Sequence, residues 1–255
     1  MKKDLSLKSF VITLDGAKDR QDLMTKHLSD HGLDFEFISA IDGRAFDVAN
    51  HPSHRTLLRR LFFGRDLKGG ELGCLLSHRK CYKKIIDENI SLALIFEDDV
   101  ELQENFSPLL SASLNHVDQF DILRFIIKPK LLKKPHKKVA DLDQTHFVGK
   151  THGVPGGAYA YMITYDGAQK MLKKMDRNYL PVDTLIGQSW KTGLKSYVVM
   201  PGTVDYRRDL GSFIGEDRFD KSELDLKMPL KLIYPLTRLG YKLYENLMRF
   251  LAYYF

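Results

Sequence analysis

At 255 residues, with 44% hydrophobic and 28% charged side chains, the chain can bury a sizeable core, and its composition excludes a fibrous or disordered protein. The formal net charge of +6 comes largely from clusters at 55–65, 128–138 and the C-terminal segment. No nucleic-acid motif accompanies these clusters, which leaves anionic small molecules and anionic membranes as expected partners, and no nucleic acid.

Two cysteines, Cys74 and Cys81, fall two turns apart on a predicted helix, too far to be bridged, and read as reduced and cytosolic. The opening residues lack the apolar stretch of a secretory signal, and no run of about 18 apolar residues spans a membrane.

Residues 9–14 read as a buried first strand, 19–31 as a helix stopped by Gly32, and 34–39 as a second strand. Strand, helix and strand of this length make a βαβ unit. The turn at 15–19 carries neither a dinucleotide nor a P-loop signature. Arg20, at the helix start, is either a surface residue or a contact for a phosphate or base. Residues 50–65 are basic and irregular and read as a helix-containing insertion or lid edge, and their histidines match no metal spacing. Gly69, Gly70 and Glu71 open a strong helix over 72–88. Ser77 and His78 lie within it, where packing alone would explain them.

An apolar run at 92–96 stops abruptly at Glu97, Asp98 and Asp99. It reads as a strand buried on both faces whose carboxyl end carries three acids. Adjacent carboxylates repel unless water or a cation lies between them, and a hard divalent cation takes oxygen ligands. The stretch is therefore either a metal–phosphate site or a solvated acidic turn.

Further on, 120–127 reads as a strand and 128–138, with six lysines and two prolines, as an exposed loop. Residues 145–150 read as short and extended. Residues 153–164 are a glycine-rich loop feeding a strand, where Gly156 and Gly157 would let backbone approach a ligand. A helix at 166–175, a short helix beginning near 180–184, and a last strand at 194–200 follow. Residues 201–216, with Asp205, Arg207, Arg208 and Asp209, read as a loop, whose Arg207 and Arg208 could hold phosphate once it closes. The tail at 229–255 is a basic amphipathic helix, with Leu236, Leu239, Leu243, Leu247, Phe250, Leu251 and Tyr254 on one side. Such a helix either lies in a membrane interface or covers the domain's own apolar surface, and the cationic face and aromatic end favour the membrane.

The ordered blocks resemble glycosyltransferase family 25, bacterial lipopolysaccharide and lipooligosaccharide sugar transferases related to the collagen galactosyltransferases. They are Phe10 to Leu14 with Asp19-Arg20, Phe37 to Gly43, Gly70 to His78, Leu94 to Val100, Gly157 to Tyr161, and Leu180 to Asp183. Thr13 stands where relatives often carry Asn. The resemblance implies a GT-A-like α/β fold, a single nucleotide-binding domain with a mostly parallel central sheet over 1–215; the basic amphipathic helical tail over 216–255 lies outside the recognised blocks and is read from its own pattern. It implies inverting transfer of a hexose, galactose or glucose, from a UDP-sugar to a hydroxyl of a lipid-linked oligosaccharide.

On that resemblance Asp183 is the expected catalytic base. Thr13, Arg20, Ser77, His78, Asp98, Gly156 and Gly157 would line the donor. Glu97, Asp99 and His152 would hold Mn²⁺ or Mg²⁺. Along an extended backbone Glu97 and Asp99 point to one side and Asp98 to the other. The expected place is cytoplasmic, peripheral on the inner face of the cytoplasmic membrane. Two other readings use the same residues: a non-catalytic nucleotide- or glycan-binding relative, and a nucleotidyltransferase or phosphohydrolase.

Overall fold

The computed structural model describes residues 6–207 and 226–254. Arg208, Asp209, the rest of the 201–216 loop beyond residue 207, the boundary at 215/216, residues 1–5 and Phe255 lie outside the described residues.

In chain order the first half comprises β1 (Leu7–Thr13), α1 (Lys18–Asp30), β2 (Glu36–Ser39), α2 (Thr56–Phe63), α3 (Gly69–Asp87), β3 (Leu92–Glu97), β4 (Val100–Leu102) and α4 (Phe106–Leu114). The second comprises β5 (Ile122–Arg124), α5 (Pro129–Leu132), β6 (His136–Asp141), β7 (Phe147–Thr151), β8 (Ala160–Thr164), α6 (Tyr165–Met175), α7 (Val182–Gly187), α8 (Ser189–Thr192), β9 (Ser196–Met200), β10 (Val204–Tyr206) and α9 (Leu230–Tyr254).

Eight strands form one sheet in the order β2-β1-β3-β8-β5-β9-β7-β6. β1 runs parallel to both β2 and β3, and β5 parallel to β9. β8 and β7 run against the other strands, so their pairings with β3, β5, β9 and β6 are antiparallel and the α/β sheet is mixed. Strand alternation builds two cores. Ala93 and Ile95 face α3, α6 and α7, packing with Leu72, Leu75, Ala168 and Leu185. Leu92, Leu94 and Phe96 face α1 and α4, packing with Met24, Leu28, Phe106 and Leu110.

Three local expectations change. The six-lysine segment is not a loop: it holds α5 and then β6, an edge strand paired with β7. Its lysines decorate an open sheet edge, where charge discourages pairing with another chain. In the 120–127 run, only Ile122–Arg124 is strand. The stretch at 201–216, expected to be a loop, holds β10 at Val204–Tyr206, which pairs antiparallel with β4 in a separate ribbon.

The tail helix α9 is present. Its apolar stripe does not cover the domain: Leu236, Leu239, Leu243, Leu247, Phe250, Leu251 and Tyr254 are all exposed. The opposite side docks, with Thr237 Oγ1 donating to Leu61 O and Tyr241 stacked on Phe62.

Candidate functional site

The carboxyl ends of the parallel strands β1, β2 and β3 open together into one pocket, the expected place for a ligand in such sheets. It is lined by Thr13, Arg20, the 40–44 turn, Gly70, Cys74, Ser77, His78, Glu97, Asp98 and Asp99. The turn approaches α3 by close backbone contact. A Cβ on Gly73 would stand 2.5 Å from the Ile41 carbonyl oxygen, so only glycine fits. Ser77 then fastens the crossing: its Oγ accepts from the Ile41 N–H at 2.8 Å and donates to the Gly73 carbonyl at 2.7 Å.

Glu97 and Asp98 face opposite layers. Glu97 turns toward α3, where His78 Nε2 stands 3.2 Å from Glu97 Oε1 and the Cys74 thiol donates to the same oxygen at 3.6 Å. The fully buried His78 has its other nitrogen, Nδ1, 2.6 Å from the Tyr161 hydroxyl, which is 2.7 Å from that of Tyr82. Burial pushes both tyrosines well above the ordinary phenol range, so both keep their protons. With both tyrosines as donors the chain runs one way: Tyr82 to Tyr161, Tyr161 to His78 Nδ1, and His78 Nε2–H to Glu97. It fixes the imidazole tautomer and aims the Glu97 carboxylate.

Asp98 turns toward α1. Its Oδ1 pairs with Arg20 Nη1 at 2.7 Å and its Oδ2 accepts from Thr13 Oγ1 at 2.7 Å. Arg20 and Thr13, expected at the donor, therefore hold Asp98 at the pocket wall, and Arg20 is buried rather than on the surface.

Asp99 follows in the turn between β3 and β4. Its carbonyl accepts from the Arg207 N–H at 2.8 Å, which ties the turn to the end of β10. Among the described residues its buried Oδ1 has no hydrogen-bond partner. Burial, then repulsion from Glu97 and Asp98, raises its pKa to about 7. A partnerless buried oxygen in a cluster of acids suits a cation, and Glu97 supplies a second carboxylate in the same pocket. Cys74, His78 and Glu97 also bring one ligand atom each within 4.8 Å of one another. Burial and the nearby Glu97 and Asp183 raise the Cys74 thiol far above its usual range, which keeps it protonated and a poor ligand for a hard ion.

Asp183 sits in the first turn of α7. Its carboxylate accepts from the Gly157 N–H at 3.2 Å and from the Thr184 N–H at 2.6 Å. Gly157 has φ +85, a conformation glycine adopts freely, and this aims its N–H at Asp183. Gly156 lies under the Lys128 side chain. Asp183 is not part of the pocket wall, yet it lies close enough to Cys74 to raise that thiol together with Glu97 and Asp99.

His152 is the exception among the expected metal residues. Its ring packs edge-on against Tyr253 at 5.2 Å, under the end of α9, and takes no part in the pocket. A histidine neighbouring glycines in sequence follows β7 to the far half of the sheet.

The arrangement also rests on Arg124, which the sequence motifs do not single out. This fully buried guanidinium donates to the Pro155 carbonyl and, at 3.0 Å, to the Asp183 carbonyl. Burial lowers its pKa to about 10. An arginine inside an apolar strand run is the available signal, since such a charge stays buried only when it is bonded.

The family model for glycosyltransferase family 25, described as an LPS biosynthesis protein, matches residues 6–186. This chain belongs to glycosyltransferase family 25. The human procollagen galactosyltransferase 2 is 29% identical over 189 residues, 69% of this chain and 29% of its own length. The Danio rerio procollagen galactosyltransferase 1 is 26% identical over 186 residues, 69% of this chain and 30% of its own. The family-25 chain thus spans about three-tenths of the length of these relatives. Among solved structures, a glycosyltransferase involved in glycosylation of the major capsid of PBCV-1 aligns with TM-score 0.37 and 12% identity, covering 69% of this chain and 68% of that one. An alignment this distant carries no chemistry across.

Proposed function

We propose that this chain is a metal-dependent inverting glycosyltransferase that moves a hexose from a UDP-sugar to a hydroxyl of a lipid-linked oligosaccharide. The observation that carries this reading is Asp99, with its buried unpartnered oxygen beside Glu97 at the carboxyl ends of parallel strands. Asp99 and Glu97 would hold a divalent ion. Such an ion supplies charge stabilisation to the departing diphosphate. His78, through Tyr161 and Tyr82, keeps Glu97 aimed. Asp98 serves the pocket as a neutralised strut between Arg20 and Thr13.

Inversion needs a carboxylate to take the proton of the attacking hydroxyl. Asp183 fills that role, held by the Gly157 N–H at 3.2 Å. The family description points to a lipopolysaccharide-type acceptor, and the names of the human and zebrafish relatives favour galactose.

One observation favours a second reading. The Asp183 carboxylate also accepts from Thr184, as a helix N-terminal acid does for purely structural reasons. A non-catalytic chain that binds nucleotide or glycan would keep that bond. Incubating the purified chain with UDP-galactose or UDP-glucose, an acceptor extract and Mn²⁺ separates the two. Sugar transfer that stops with chelator and in Asp99→Ala supports the transferase. Nucleotide binding without transfer from any donor supports the binding module. UDP release undiminished by both treatments removes the metal assignment.

A further inference from the structure

The geometry points to α9 as a docking surface for an anionic lipid bilayer. Leu236, Leu239, Leu243, Leu247, Phe250 and Tyr254 form one stripe along the helix, each between 47% and 74% exposed. Polar and tyrosyl side chains, not this stripe, attach the helix to the domain. Arg238 Nη1 donates to Phe62 O at 2.9 Å and Gln188 Nε2 to Glu245 Oε1 at 3.2 Å. An amphipathic helix that folds with its apolar side outward leaves that side for something outside the described residues.

Charge identifies the occupant. Glu245 is the helix's one acid, and it is turned inward, paired with Arg249 and 18% exposed. The exposed charges of the helix are Lys231 and Lys242, which border the stripe on one side. The fold adds more at the C-terminal end. Lys137 of the edge strand β6 donates to the Tyr254 carbonyl at 3.3 Å and lies over the Tyr253 and Tyr254 rings. These residues are 117 positions apart in sequence, so the meeting is made by the fold alone. Lys128, Lys130, Lys133, Lys134 and Lys138 of the same segment are exposed as well.

An apolar stripe with aromatic residues at one end, on a helix whose exposed charges are all positive, fits anionic headgroups over an acyl layer. A second copy of this chain would bring the same lysines face to face, which charge opposes. No helix among the described residues is long and apolar enough to cross a membrane, so α9 would lie in the interface. Lipid binding needs no sugar donor, so it stands or falls independently of the transferase reading.

Flotation of the full chain tests it, using vesicles of phosphatidylcholine alone and of equal parts phosphatidylcholine and phosphatidylglycerol. The chain is expected to float with the mixed vesicles, less with the neutral ones, and less as salt rises. Replacing Lys231 and Lys242 by Ala is expected to weaken binding about thirtyfold. Leu239→Glu, Leu243→Glu and Leu247→Glu together are expected to abolish flotation. These side chains are exposed, so an unchanged thermal midpoint shows that the triple variant still folds. Flotation retained by the folded triple variant overturns the assignment. So does a wild-type chain that ignores both vesicles but forms a dimer that the triple variant lacks.

Discussion

Arg124 and Asp183 come from strand and helix 59 positions apart, and the Arg124 Nη2 donates to the Asp183 carbonyl at 3.0 Å. The same guanidinium holds the Pro155 carbonyl, so one buried cation fixes both the glycine-rich loop and the proposed base. Arg124→Met leaves the buried Pro155 carbonyl and the part-buried Asp183 carbonyl without their donor and is expected to cost roughly 3 kcal/mol of stability. Chemical denaturation checks the cost. An unchanged midpoint would mean that the guanidinium is not holding the loop.

Asp183→Asn keeps the shape of the side chain and an acceptor oxygen but removes the base. The thermal midpoint is expected to move little, while sugar transfer falls by about 10²–10⁴. Donor binding, followed separately, is expected to persist. Transfer at the wild-type rate would assign Asp183 to helix capping alone.

Tyr161→Phe breaks the link between Tyr82 and His78. It leaves His78 Nδ1 without its 2.6 Å partner in a fully buried place. Mn²⁺ affinity is expected to fall by about 10–100-fold through the misaimed Glu97, as for other residues that orient a ligand. Titration of Mn²⁺ followed by calorimetry reads this directly.

The βαβ unit and β3 are legible in the sequence because buried strands are apolar throughout and the helices keep a clear period. Alternation separates Glu97 from Asp98, and the structure places them against α3 and α1. The edge strand β6 is hidden by its lysines, since an exposed edge carries the composition of a loop. His152 escapes the pattern because adjacency to Gly153 says nothing about which end of a strand a ring faces; its partner, Tyr253, comes from α9. The side of α9 that docks is also beyond the pattern, because its tyrosines and polar groups fit the domain better than its leucines do.

Asp99 carries a pH dependence. Its folded-state pKa is raised to about 7 from an ordinary value of 3.8, so the native metal-free state holds a proton that the unfolded chain releases. The resulting stabilisation is complete below the unfolded value and is lost as pH rises through about 7. The metal-free chain is therefore expected to melt lower at basic than at mildly acidic pH. Asp99→Asn is expected to flatten that slope in thermal melts, and Mn²⁺ to restore the wild type at basic pH.

A cation held by Asp99 and Glu97 is what the proposed transfer of sugar from a nucleotide donor requires above all. Its most direct test is UDP release and sugar product formed from UDP-galactose with an acceptor extract, comparing the wild type with and without Mn²⁺ against Asp99→Asn. Transfer is expected from the wild type only with the ion, and from Asp99→Asn under neither condition. Equal transfer by both proteins in the presence of chelator would contradict it.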